Sequence, residues 1–157
     1  MNKGFTLKFS VIVPTLNPGK SWMSWLNAFA KQTARPSDAI VIDSGSAQDE
    51  IDLAIDYGFR IIRIPGPEFN HGGTRQSALD RLEGDCEVGV FLTQDAILYD
   101  QHSLERLLMA FQDPEVAAAY GRQIPRSDSG PFGAHARLFN YGPLSGTRSL
   151  GSVSTLG

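Results

Sequence analysis

The chain carries a single cysteine, Cys86, among its 157 residues. One thiol forms no internal disulfide and builds no cysteine-rich metal centre. It fits a reducing compartment, and no helix start or strand end singles it out as a nucleophile. Long apolar runs are missing as well. No segment approaches the ~20 apolar residues of a membrane span, and Met1 to Lys8 holds no leader-like stretch. The expectation is a cytoplasmic protein, at most peripheral at the inner face of the membrane. Neither sign of charge dominates: the net charge is −3, and no basic run reaches five residues, which argues against nucleic acid as a partner. The Gly-rich nucleotide signatures are also absent. The first apolar strand opens onto Pro14-Thr15-Leu16-Asn17-Pro18-Gly19, where a dinucleotide fold needs G-x-G-x-x-G and a P-loop needs G-x-x-x-x-G-K-[ST].

What is present is an alternation of β and α signals. With 41% apolar and 20% charged residues, the chain makes one ordinary folded domain that buries roughly two-thirds of its unfolded surface. Strands are expected at Phe9 to Pro14, Asp38 to Ile42, Phe59 to Ile64, the run ending at Phe91-Leu92-Thr93, and Val116 to Gln123. Trp22, Trp25, Leu26 and Phe29 fall at i, i+3, i+4 and i+7, so residues from about Lys20 to Thr33 make an amphipathic helix with both tryptophans in the core. Ser46 and Asp49 have the spacing of a capping box, opening a helix that Gly58 stops. A further helix is expected from about Thr74 to Leu82, and another behind Ser103 carrying Leu104, Leu107, Leu108 and Phe111.

Three strand ends carry polar tips, and in an α/β sheet that edge faces the ligand crevice. Pro14 and Asn17 shape a turn whose backbone can pair with a planar base. Asp43 can accept from a base N–H or a ribose hydroxyl; the alternative for Asp43-Ser44-Gly45-Ser46 is a turn with a helix cap. Gly72-Gly73, ahead of a helix start, offers backbone N–H groups to an anion, and Arg75 adds a positive fork. His71 can donate to phosphate or serve structurally. Asp95, in Phe91-Leu92-Thr93-Gln94-Asp95-Ala96, is poised to hold a metal or a hydroxyl, against the plainer reading of a cap or surface carboxylate. Arg122 points to the crevice or pairs locally.

The runs Ser10 to Asn17, Val41 to Ser46, Glu68 to Gln76 with its F-N-H-G-G-T-R block, F-L-T-Q-D-A at Phe91 to Ala96, and Ala119 to Gln123 together resemble the family 2 inverting glycosyltransferases, most of all the bacterial rhamnosyltransferase group. The resemblance implies an α/β GT-A nucleotide-diphospho-sugar transferase fold, a mostly parallel Rossmann-like sheet flanked by helices. It implies a dTDP- or UDP-sugar donor, with rhamnose as its sugar, and a saccharide or lipid-linked acceptor. On that pattern Thr15 and Asn17 sit near the nucleoside, Asp43 near the base, and Arg75 near the ribose or diphosphate. Pro14, Gly45, His71, Gly72, Gly73 and Gln94 complete the expected nucleotide-sugar-binding set. Asp95 matches the metal-facing carboxylate of a D-x-D-type motif whose first Asp is here Thr93, leaving Mg²⁺ or Mn²⁺ one protein carboxylate plus diphosphate and water oxygens.

The organisation expected is a donor-binding domain over 9–123 followed by an irregular segment over 124–157. That segment is rich in Gly and Pro and lacks a period of 2 or 3.6, so it is a lid or, on the favoured reading, the start of a missing acceptor-binding part. Inverting transfer needs a general base, and Asp128 reads as a turn residue, so no catalytic base is assigned. The chain alone is therefore expected to bind donor without transferring it. Apolar surface left uncovered would favour a homo-oligomer. A nucleotidyltransferase, the other nucleotide chemistry weighed, should show a Gly-rich triphosphate loop after the first strand, where Val13 to Asn17 stands instead.

Overall fold

The computed structural model describes residues 7–126, 129–149 and 151. Two compact units are present, Met1–Ala119 and Tyr120–Gly157. The first is built on four strands, β1 (Phe9–Thr15), β2 (Asp38–Asp43), β3 (Arg60–Arg63) and β4 (Val88–Phe91), all parallel, in the order β3-β2-β1-β4. Between them run α1 (Trp22–Ala30), α2 (Gln48–Asp56) and α3 (His71–Leu79), and α4 (Ser103–Leu108) follows β4. Parallel strands bring all four carboxyl ends to one edge. Thr15 and Asp43 are direct register partners there, with the loop after Phe91 following on the far side of β1.

β1 lies in the middle of the sheet and is buried on both faces, which is why its sequence is a near-continuous apolar run instead of an alternation. Odd positions Val11 and Val13, with Val41 and Val90, pack against α1, α2 and α4. Even position Ile12, with Ile40 and Ile42, packs against Ala78 of α3. The expected α1 spacing is observed: Trp22, Trp25, Leu26 and Phe29 are all buried. Trp22 stacks on Trp25 at 5.0 Å, and Phe29 meets Phe59 at 4.7 Å. A buried indole needs an acceptor. Trp22 Nε1 donates to the Glu50 carbonyl and Trp25 Nε1 to the Thr93 carbonyl, each at 3.0 Å.

Several boundaries differ from expectation. The Ser46–Asp49 capping box is not formed; α2 starts at Gln48 behind Ala47, because the Ser46 hydroxyl is already accepting from the Asn17 N–H at 2.8 Å. α3 starts at His71, three residues earlier than expected, because the Asn70 side chain caps it by accepting from the Gly73 N–H at 2.6 Å. Residues 116–123 form no strand: Ala117 and Ala118 are exposed and offer too little apolar area to hold a sheet edge. The second unit instead contains a helix, α5 (Pro131–Asn140), where no period was read, with Pro131 at a first-turn position that tolerates a missing N–H. Within that unit Tyr120 meets Tyr141 edge-on at 6.2 Å. Ser127, Asp128 and 152–157 lie outside the described residues. Among the described residues no helix is long and apolar enough to cross a membrane.

Candidate functional site

The carboxyl edge is assembled by backbone groups that side chains satisfy across loops. The Thr15 carbonyl takes both the N–H and the hydroxyl of Ser44, at 3.0 and 3.2 Å, locking the end of β1 to the end of β2. Asp43 is 3% exposed, and its two oxygens accept from the Gly45 N–H at 3.2 Å and the Ser46 N–H at 2.9 Å. Its carboxylate therefore shapes the turn that follows it. Gly45 has φ +128°, a conformation other residues rarely adopt, and Asn17 has φ +43°. These two residues let both loops turn sharply at the same edge.

After β4 the chain is held from two directions. Trp25 grips the Thr93 carbonyl from the core. One residue on, the Gln94 amide makes a reciprocal pair with Leu16, accepting from its N–H at 2.8 Å and donating to its carbonyl at 2.9 Å. Asp95 follows in an exposed turn, and its carboxylate takes no hydrogen bond among the described residues. Pro14, Thr15, Leu16, Ser44, Phe69 and Gln94 bound a mostly apolar depression of about 150 Å³. That is below the ~300 Å³ at which ligand pockets usually begin, so it accommodates a flat ring and not a whole nucleotide-sugar.

The third strand end supplies the start of α3. Gly72-Gly73 is not a loop ahead of the helix, as expected, but its first turn, and the Gly73 N–H is already committed to Asn70. A Cβ on Gly73 would fall 2.7 Å from Asn70 Oδ1, so the glycine is what lets the cap seat. Arg75 is turned back along its own helix, donating to the His71 carbonyl at 2.8 Å with His71 Nδ1 at 3.4 Å. The His71 ring stands edge-on to Phe69, 5.1 Å between centroids.

Of the expected residues, the structure brings Pro14, Thr15 and Gln94 to one depression. Asp43 and Gly45 adjoin it through Ser44, His71 through Phe69, and Asp95 through Gln94. Leu16, Ser44 and Phe69 line it without having been singled out; Phe69 lay inside the F-N-H-G-G-T-R block, but a lone aromatic in a loop has no period to mark it. No group of three or more His, Cys, Asp or Glu side chains able to hold a metal exists among the described residues. Asp95, the exposed carboxylate next to Gln94, is a single oxygen ligand, which is compatible with Mg²⁺ or Mn²⁺ only where oxygens of a bound ligand and water complete the shell.

The profile of glycosyl transferase family 2 matches residues 10–154. The chain belongs to glycosyl transferase family 2. Among its relatives, the O-antigen chain rhamnosyltransferase WbaN of Salmonella anatum is 47% identical over 150 residues, 95% of this chain and 47% of WbaN. The chain spans about half the length of the curated relatives it matches. The Staphylococcus aureus TarS 1–349 structure in complex with UDP-GlcNAc superposes with a TM-score of 0.55 at 28% identity, covering 77% of this chain and 38% of that one. Glucosyl-3-phosphoglycerate synthase of Mycobacterium tuberculosis, in complex with Mn²⁺, uridine diphosphate and glucosyl-3-phosphoglycerate, superposes at 0.55 with 24% identity over 69% of this chain and 41% of that one, a likeness of fold. This family 2 chain therefore has the GT-A fold.

Proposed function

We propose that this chain is the donor-binding part of an inverting glycosyltransferase, which takes a sugar, rhamnose, from a dTDP- or UDP-sugar and passes it to a saccharide or lipid-linked acceptor in cell-surface polysaccharide synthesis. The rhamnosyl and polysaccharide parts of this reading rest on the 47% identity to WbaN. The nucleotide part rests on one observation above all: the ends of β1, β2 and β4 and the start of α3 come to one edge around a ring-sized depression, with Asp95 adjoining it.

In this reading the base enters the depression, with Phe69 and Leu16 as its apolar walls and the Asn17 turn over its rim. Asp43 holds Gly45 and Ser46 in place, so its contribution to the base is the shape of that turn. Arg75 keeps guanidinium N–H groups beyond those it gives to His71, and these serve the diphosphate. Asp95 would hold a divalent cation, which when bound neutralises charge developing on the departing diphosphate. Transfer further requires a base for the acceptor hydroxyl, and we assign none. Residence in the cytoplasm, at most peripheral at the membrane, belongs to the same proposal. So does self-association, favoured by Phe132 and Phe139 of α5, 89% and 80% exposed, and checked by sedimentation.

Calorimetry tests the reading. UDP or dTDP should bind with Mg²⁺ or Mn²⁺ present, and Asp95→Ala should remove the metal-dependent part while leaving the melting temperature within about 1–2 °C, since an exposed carboxylate contributes little to packing. Absence of heat with either nucleotide at millimolar concentration refutes it. Incubation of the same preparation with donor and acceptor separates a transferase from the second reading, a binding module without turnover, to which the unassigned base points.

A further inference from the structure

The reciprocal Gln94–Leu16 pair occurs where the β1–β4 ladder breaks. The ladder runs to Ile12↔Phe91, and the Leu92 N–H still donates to the Ile12 carbonyl at 3.0 Å. In a parallel ladder the next bond would come from the N–H of residue 14 to the carbonyl of residue 92. Residue 14 is proline and has no N–H. The two chains can therefore separate beyond that point, and the depression bounded by Pro14, Leu16 and Gln94 lies there. Two residues later a side chain reconnects them: the Gln94 amide supplies one acceptor and one donor to a single residue's main chain, reproducing with a side chain the link the proline removed. Both residues of this pair line the depression, and Asp95 is bonded directly to one of them.

We propose that Gln94 is a positioning residue that couples the two halves of the donor site, so that occupation of the depression by a nucleoside and binding of a divalent cation at Asp95 reinforce each other. The inference rests on the reading above, in which the base enters the depression and Asp95 meets the metal. Leu16 takes one N–H and one lone pair of the amide and so fixes its position, and through that pair Gln94 acts on the β1 loop and on the Asp95 turn together. Thr93 is pinned from the core by Trp25, which makes residue 94 the last fixed point before Asp95.

The test is the ratio of UDP affinities with and without Mn²⁺, measured by calorimetry on the wild-type chain and on Gln94→Met, which keeps the length of the arm but neither bond. The wild type should bind UDP more tightly with Mn²⁺, and in Gln94→Met that ratio should fall at least about fivefold, the lower end of ordinary site–site coupling, with the melting temperature nearly unchanged. An unchanged ratio overturns the proposal, including the case in which both affinities fall by one common factor, since that is the mark of a direct contact. If Gln94→Met does not fold, amide hydrogen exchange on the wild type decides. Protection of the Leu16 N–H should rise with Mn²⁺ and UDP together beyond its value with UDP alone, and an equal value overturns the proposal. A wild type that binds UDP with no help from Mn²⁺ shows instead that Asp95 is not the metal carboxylate, which refutes that earlier assignment and this proposal with it.

Discussion

Replacing Asp43 by Ala should unfold the turn after β2 before it affects anything else. The carboxylate is 3% exposed and accepts two backbone N–H groups at 2.9 and 3.2 Å. Hydrogen bonds to a charged group contribute about 1.5–3 kcal/mol each. Gly45 is exposed and Ser46 half-buried, so water can reach both freed donors, and the longer bond counts for less. The expected loss is about 2–3 kcal/mol, which for a chain of this size lowers the melting temperature by roughly 4–10 °C. Asp43→Asn keeps one acceptor but turns an N–H₂ toward the other donor, and should lose about half as much. Urea unfolding with an unchanged m-value is the assay, because a change in midpoint alone reports stability. A loss below about 0.5 kcal/mol for Asp43→Ala, the range of ordinary surface substitutions, would refute the reasoning. It would mean that the Asn17–Ser46 and Ser44–Thr15 bonds hold the turn unaided.

Phe69→Ala should weaken binding of uridine or thymidine by about 1–3 kcal/mol, the usual worth of an aromatic wall against a base, whereas Phe69→Tyr should retain it; equal calorimetric affinity in all three proteins would take Phe69 out of the site. Gly73→Ala displaces the Asn70 cap, costing about 1 kcal/mol and cancelling much of alanine's helical advantage. In an Asn70→Ala background the same change should turn stabilising, so thermal melts of the four proteins should show a coupling near 1 kcal/mol, and purely additive effects would contradict the cap. At the start of α4 the His102 N–H and the Arg106 guanidinium hold the Asp100 carboxyl below its usual range. A carboxyl depressed in the folded state contributes stability above its unfolded value near 3.8 and loses it as the pH falls through the lower folded value. Asp100→Asn should therefore flatten the acid limb of the melting temperature below about pH 4, and identical acid limbs in the two proteins would refute that.

The parts of the fold that could be read beforehand are those whose burial repeats. β1 and α1 face the core over their whole length, so the Phe9-to-Val13 run and the Trp22-Trp25-Leu26-Phe29 spacing announce them. The start of α3 and the failure of the capping box depend on which partner reaches a donor first. Ser46 has the right neighbour three residues on, yet the Asn17 N–H holds its hydroxyl from a loop 29 residues away, which no local pattern encodes. α5 is masked for another reason: Phe132, Ala136 and Phe139 do fall at i, i+4 and i+7, but the Gly130-Pro131 start and the internal Gly133 look like breaks. Val116 to Gln123 erred the other way, an apolar composition without enough side chain to pack. At the site, strand ends located Pro14, Thr15 and Asp43 because sheet polarity fixes where they go. Phe69 and the Leu16–Gln94 pair depend on loop geometry that only the folded chain supplies.

The chain's two tryptophans, Trp22 and Trp25, each donate an indole N–H to a backbone carbonyl in or near a segment that reaches the carboxyl edge. Indole emission shifts with the strength of that hydrogen bond and the polarity around the ring. Trp25 is 1% exposed, so solvent contributes almost nothing to its signal, and the Thr93 carbonyl, two residues from Asp95, becomes the variable element of its surroundings. The aromatic stack is thus a built-in optical gauge. Ordering or loosening of the turn after β4 should be visible in the protein's own fluorescence, without a label and without a substituted side chain.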